Sequence, residues 1–136
     1  MVRTTIGTGE EVGSIADETA TQGVAHGYAD AWRHGDRAGA LDLIDPGATV
    51  EWNLPRPAGV PALLSTLTQL VAGCLEVQLA EETYAGYRAA LVYDCSTLDG
   101  PIRIVEFLAV ADGRIQEIRQ VYDLTALRRL IPGLLD

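Results

Sequence analysis

Between Pro101 and Asp123 the chain reads PIRIVEFLAVADGRIQEIRQVYD. Two runs rich in β-branched residues, 102–110 and 115–122, flank Ala111-Asp112-Gly113-Arg114. Asp-Gly between two such runs is a strong hairpin signal. In the first run Ile102, Ile104, Glu106, Leu108 and Val110 share one face, and Arg103, Val105, Phe107 and Ala109 the other. Both faces are mostly apolar, so this strand is expected to be covered on both sides. Glu106 then sits among Ile104, Leu108 and Val110 with no local partner. A buried, unpaired carboxylate is costly and tends to hold its proton. Glu106 is therefore the first candidate site residue, with Ile104 and Leu108 as the apolar wall beside it.

The rest of the chain reads as elements that could cover this hairpin. Residues 1–13 are polar and rich in Gly and Thr, which suggests a flexible tail ahead of one domain over 14–136. Ser14 with Asp17 makes a capping-box pattern, and a helix is expected from there to about His34, ended by Gly35. Its apolar stripe is Ala20, Val24, Tyr28, Ala31 and Trp32, with His26, Asp30 and Arg33 on a polar side. Asp36 caps a short second helix carrying Leu41 and Ile44, which stops at Asp45-Pro46-Gly47. Thr49–Leu54 reads as a strand. Val60-Pro61 opens a third helix with Leu63, Leu64, Leu67, Leu70 and Val71 on one face, closed by Gly73. Leu75–Ala80 and Arg88–Leu98 read as strands, and Asp99-Gly100 turns the second into the strand of Glu106. Asp123 precedes a short helix from Thr125 to Ile131. Strands joined by short turns imply an antiparallel sheet with the helices on one face. The expected fold class is α+β: one curved antiparallel sheet on three helices, with a short C-terminal helix. A curved sheet under helices encloses a pocket readily.

Composition narrows the function. With 136 residues, 48% of them hydrophobic, one domain with a real core is expected. A net charge of −9 repels a phosphate backbone, so no nucleic-acid partner is expected. No apolar run is long enough to span a membrane, and MVRTTIGTGEEVG lacks the apolar core of a secretory signal. Cys74 and Cys95 have neither CxxC nor metal spacing, so two inert thiols in a reduced, cytoplasmic protein are expected. His26 and His34 lie eight apart, not the four that would put two ligands on one helical face, and no metal or cofactor is expected.

Three pieces of the chain resemble the nuclear transport factor two-like superfamily: YADAWRHGDRAGALDLI, ATVEWNLP and VEFLAVADGRIQEIRQVYDL. The resemblance implies a cone-shaped α+β domain. Members include isomerases, cyclases, dehydratases, epoxide hydrolases and non-catalytic binding modules, so it implies less about function. In ketosteroid isomerase a Tyr and a protonated Asp form an oxyanion hole, a case used elsewhere as the standard example of a neutral carboxylic acid donor. Tyr28, seven residues before Gly35, matches that Tyr, and Glu106 matches that Asp. The base does not match: Trp52 or Asn53 falls at the catalytic Asp. The first strand of limonene epoxide hydrolase resembles Glu51-Trp52-Asn53-Leu54-Pro55, matching at Asn53, with Glu51 in place of its Tyr. Val121-Tyr122-Asp123-Leu124 resembles its C-terminal motif, and Gln120 stands where one of its catalytic acids would.

With Asn53 facing inward, strand parity turns Glu51 inward too. The pocket then holds Glu51, Asn53, Glu106, Gln120 and Tyr28, with Tyr122 at its rim. The other register turns Val50 and Trp52 inward as pocket wall and leaves Glu51 in solvent. In the first arrangement Glu51, aided by Asn53, is the base, and Glu106 with Tyr28 the oxyanion donor pair. The expected activity is cofactor-free cyclisation or isomerisation of a hydrophobic, polyketide- or terpenoid-like small molecule. Epoxide opening is the alternative, and a non-catalytic ligand-binding or dimerisation module the third. Val105, Phe107, Ala109 and Val121 point away from Glu106. Exposed, they would form an apolar patch rimmed by Glu117 and Arg119, so a homodimer through the outer sheet face is expected.

Overall fold

The computed structural model describes residues 8–135, with side chains from Asp17 to Gly133. Its elements run α1 (Thr8–Arg33), α2 (Arg37–Asp42), β1 (Ile44–Trp52), α3 (Val60–Gly73), β2 (Glu76–Ala85), β3 (Arg88–Thr97), β4 (Gly100–Ala111), β5 (Arg114–Tyr122) and α4 (Leu124–Leu130), then a 3-10 turn, Pro132–Leu135. The strands form one open sheet in the order β1-β5-β4-β3-β2.

The Asp-Gly hairpin forms as its sequence implies. Asp112 and Gly113 take φ values of 55° and 75°, and two successive positive φ angles are what a tight turn between right-twisted strands requires. Ile104 pairs with Tyr122 and Glu106 with Gln120 across β4 and β5. The register slips between Ala109 and Val110 in that pair, and between Leu79 and Glu81 in the β2–β3 pair. Such bulges bend a sheet, and here they leave one concave face. Leu91, Tyr93, Cys95, Ile104, Glu106, Leu108, Ile115 and Ile118 are all buried with the helices against them.

From α1 the residues that reach the sheet are Thr21, Ala25, Tyr28, Ala29 and Trp32, at helical spacing. Two alanines beside Tyr28 keep the helix surface low. Asp36 and Asp123 cap α2 and α4 by accepting hydrogen bonds from Gly39 N and Ala126 N, as expected.

Three expectations need correction. First, the sheet is mixed, because β1 runs parallel to β5. The long connection through α3 frees β1 from pairing with its neighbour in sequence, and it docks on the edge that β5 leaves open. Second, β1 begins at Ile44, which was read as helix, and its register slips between Ile44 and Thr49 around Pro46. Third, α1 begins at Thr8, so Ser14 lies inside the helix and 8–13 are helical rather than tail. Extending an existing helix costs little per residue, and no proline interrupts this one. Residues 1–7 and 136 lie outside the described residues. Among the described residues no helix is long and apolar enough to cross a membrane.

Candidate functional site

Glu106 is fully buried at the centre of β4. Its carboxyl receives three hydrogen bonds from three directions. The Tyr28 hydroxyl of α1 donates to Oε2 at 2.6 Å, the Tyr93 hydroxyl of β3 donates to Oε1 at 2.6 Å, and Gln120 Nε2 of β5 donates to Oε2 at 2.8 Å. The Tyr122 hydroxyl donates to Gln120 Oε1, which orients that amide with its NH2 toward the carboxyl. Strand pairing explains why these groups meet. Glu106 lies opposite Gln120 on β5, and Tyr93 faces Ile104, one inward position along β4. The Trp32 ring packs edge-on against Tyr93, centroids 4.8 Å apart, and its buried indole N–H is close enough to pull the pKa values of Glu106 and Tyr93 down.

The electrostatics follow from burial. Desolvation raises the pKa of Glu106 and outweighs the hydrogen bonds from Tyr28, Tyr93 and Gln120, which pull it down. Tyr28, Tyr93 and Tyr122 are all pushed well above the usual phenol value, first by burial and then by the charge of Glu106. The three phenols are therefore protonated donors at neutral pH, and Glu106 is the group in the cluster whose proton can move.

The other half of the expected constellation does not join this cluster. β1 pairs with β5 so that Val50 matches Ile118 and Trp52 matches Gln120. The second register is therefore the real one, with Trp52 on the inner face beside Gln120. Glu51 pairs with Arg119 instead, on the outer face, 3.5 Å from its guanidinium and 72% exposed. Asn53 does not reach the cluster either. Its amide donates to Tyr122 O at 2.9 Å and accepts from Tyr122 N at 3.0 Å, a side-chain copy of a strand pairing. Short polar side chains commonly satisfy backbone in this way where a strand ends. The structure therefore does not bring Glu51 and Asn53 together with Glu106. Tyr122 is also displaced from its expected place: it is buried within the network, not at a rim.

These corrections carry an expectation. Glu51→Gln should change stability by less than about 1 kcal/mol, since exposed ion pairs contribute little. Asn53→Ala should cost about 1–2 kcal/mol through its two backbone bonds. Urea unfolding of the two variants checks both values, and a large loss for Glu51→Gln with a neutral Asn53→Ala would reverse the assignment.

Two recesses lie on the helical side of the molecule, and neither contains Glu106. One of about 660 Å³, lined by His26, Asp30, Arg33, His34, Val77 and Glu82, is open and polar and contains none of the groups bonded to Glu106. One of about 60 Å³, between Trp32, Leu64, Leu67 and Val71, borders the cluster. Among the described residues no group of three or more His, Cys, Asp or Glu side chains is placed to hold a metal ion.

No family model matches the sequence, and no curated protein does. Solved structures match in shape. A protein from Kribbella flavida DSM 17836 superposes with a TM-score of 0.73 at 23% identity, over 85% of this chain and 96% of that one. An NTF2-like protein from Cytophaga hutchinsonii ATCC 33406 gives 0.64 at 13% identity, over 93% and 98%. This chain has the NTF2-like fold. A proposed SnoaL-like polyketide cyclase from Jannaschia sp. CCS1 shares that fold with a TM-score of 0.65 at 18% identity, over 95% and 97%.

Within this NTF2-like chain, the sequence pointed to Glu106, Tyr28 and Gln120, which the structure brings together, but not to Tyr93 beside them or to Arg56. Tyr93 had a signal: a tight turn at Asp99-Gly100 sets the β3–β4 register, which puts the odd-numbered residues of β3 on the face of Glu106. Arg56 had none, since a residue between Pro55 and Pro57 reads as loop.

Proposed function

We propose that this protein is a cofactor-independent acid/base catalyst acting on a compact, hydrophobic, enolisable small molecule, with Glu106 as the single group that takes and returns the proton. The observation that carries this reading is the convergence of Tyr28, Tyr93 and Gln120 on one buried carboxyl whose pKa burial raises. A carboxyl matched in this way removes a proton from carbon next to a carbonyl and delivers it elsewhere on the same molecule. That is the chemistry of isomerisation and of ring closure by carbon–carbon bond formation. The NTF2-like fold, shared with a proposed polyketide cyclase, supports the class of substrate. Glu106 is fully buried, so a substrate reaches it by displacing a covering side chain.

The test is exchange of the α-protons of 2-tetralone in D2O, followed by proton NMR. The wild type should accelerate exchange over buffer, and Glu106→Gln should remove the acceleration by roughly 10²–10⁴-fold, the usual size of a general acid/base contribution. Equal rates for the two proteins would make Glu106 a structural carboxyl and favour a non-catalytic binding role.

We also propose a homodimer through the outer sheet face. Phe107 and Val121 are 43% and 47% exposed there, and Val105 lies between Val92 and Val121 across the strands. The Arg103–Asp94 and Arg119–Glu51 pairs lie at the same outer face as a charged rim. Sedimentation at micromolar concentration should give twice the 14.5 kDa chain mass, and Phe107→Asp should return it to one chain. A wild-type monomer would overturn the dimer without touching the chemistry.

A further inference from the structure

Arg56 follows β1 in the loop that leads to α3, and its setting asks for an anion. Its guanidinium lies over the Trp52 ring, 5.6 Å from the centroid, while the Trp52 indole N–H donates to Arg56 O at 2.9 Å. Nη2 donates to Thr66 Oγ1 at 2.5 Å, and Thr66 is itself fully buried on α3. Arg56 Nε is buried with no hydrogen-bond partner. Among the described residues no carboxylate lies within ion-pair distance of this arginine, although the chain carries an excess of nine negative charges. A buried guanidinium N–H without an acceptor is costly, and a chain this acidic could have paired it cheaply.

Position links this arginine to the Glu106 cluster. Trp52 lies beside Gln120, and Gln120 bonds both Glu106 and Tyr122. Arg56 is near enough to Tyr122 to favour ionisation of its phenol. The polar groups thus run from buried Glu106 through Gln120 and Tyr122 to Arg56, which is partly exposed. An arginine presents Nε and Nη in a planar fork that matches a carboxylate better than any point charge does.

We propose that Arg56 is the anchor for a carboxylate on the ligand, so that this site prefers a hydrophobic carboxylic acid, or a keto acid, to an uncharged molecule of the same shape. This rests on the reading above that the buried Glu106 cluster acts on a small molecule. The ligand carboxylate accepts from Arg56 Nε, and the apolar remainder extends past Trp52 and Tyr122 toward Glu106.

The test compares 2-naphthoate with methyl 2-naphthoate, of closely similar shape but uncharged, by quenching of tryptophan fluorescence. The wild type should bind the acid about 10- to 100-fold more tightly than the ester, as expected for one charge-assisted hydrogen bond. Arg56→Gln should abolish that preference, and Arg56→Lys should keep part of it. Equal binding of acid and ester by the wild type, or an undiminished preference in folded Arg56→Gln, overturns the anchor alone. Binding of neither probe overturns both the anchor and the small-molecule site. Should Arg56→Gln not fold, the ¹H–¹⁵N resonance of Arg56 Nε in the wild type decides: it should move with the acid and not with the ester. A resonance indifferent to both overturns the proposal.

Discussion

Glu106→Ala should lower the melting temperature by about 10 °C, whereas Glu106→Gln should leave it nearly unchanged at neutral pH. The alanine strands the Tyr28 hydroxyl, the Tyr93 hydroxyl and Gln120 Nε2 in a site with no solvent. Each unsatisfied buried donor costs about 1–3 kcal/mol, so at least about 3 kcal/mol is lost, and the cavity adds to it. For a domain of this size that corresponds to roughly 10 °C. The glutamine restores the pattern: its carbonyl accepts from Tyr28 and Gln120, and its amide donates to Tyr93 once that hydroxyl turns. The pH dependence separates the two proteins further. The pKa of Glu106 is raised on folding, mainly by burial. The folded state therefore holds a proton that the unfolded state has already released. The resulting stabilisation is complete below the unfolded value of roughly 4.3 and is lost as pH rises through the folded one. Thermal denaturation between pH 4 and pH 8 should show the wild type losing stability relative to Glu106→Gln with rising pH. A constant difference would show that folding leaves the carboxyl's pKa unmoved, and one that runs the other way that the carboxylate is stabilised in the fold; either overturns the assignment.

Tyr28→Phe and Tyr93→Phe should shift the pH–rate profile of 2-tetralone exchange toward alkaline pH. As a base, Glu106 works only when ionised, so the rate climbs with pH through its pKa. Each tyrosine donates to the carboxyl and pulls that value down. Removing either leaves desolvation less opposed, and the ascending limb moves up. At fixed neutral pH the rate then falls, while the plateau at high pH is less affected. Loss of the plateau alone, with the limb unmoved, would assign the tyrosines to transition-state stabilisation instead. Chemical shifts of a ¹³C-labelled glutamate carboxyl would report the same movement without any substrate.

The parts of this molecule that sequence made readable are those whose geometry is local. The Asp112-Gly113 turn sets the β4–β5 register within a few residues, and from it follow the inward face of β4 and the meeting of Glu106 with Gln120. Tyr28 could be placed because helical spacing puts it on the stripe that contains Trp32. β1 could not be placed in the same way. Residues 49–54 alternate no more convincingly in one register than in the other, and what decides between them is the parallel docking on β5, far away in sequence. The Asn-x-Pro resemblance pointed to the wrong face because Asn53 bonds the backbone of Tyr122 instead of joining the cluster. Arg56 was illegible for a related reason: its meaning comes from Trp52, Thr66 and Tyr122, which only the tertiary fold gathers.

An open five-strand sheet has two free margins, and they differ in character. β2 forms one of them and carries Glu76, Glu81 and Glu82, all exposed. A second chain that tried to extend the sheet here would bring its own copies of the same glutamates alongside, and the repulsion opposes the approach. That protection is electrostatic and therefore conditional. Salt screens such repulsion, so at high ionic strength this margin becomes the place where molecules can add to one another strand by strand. The chain should stay dispersed at low ionic strength and grow sticky in concentrated salt.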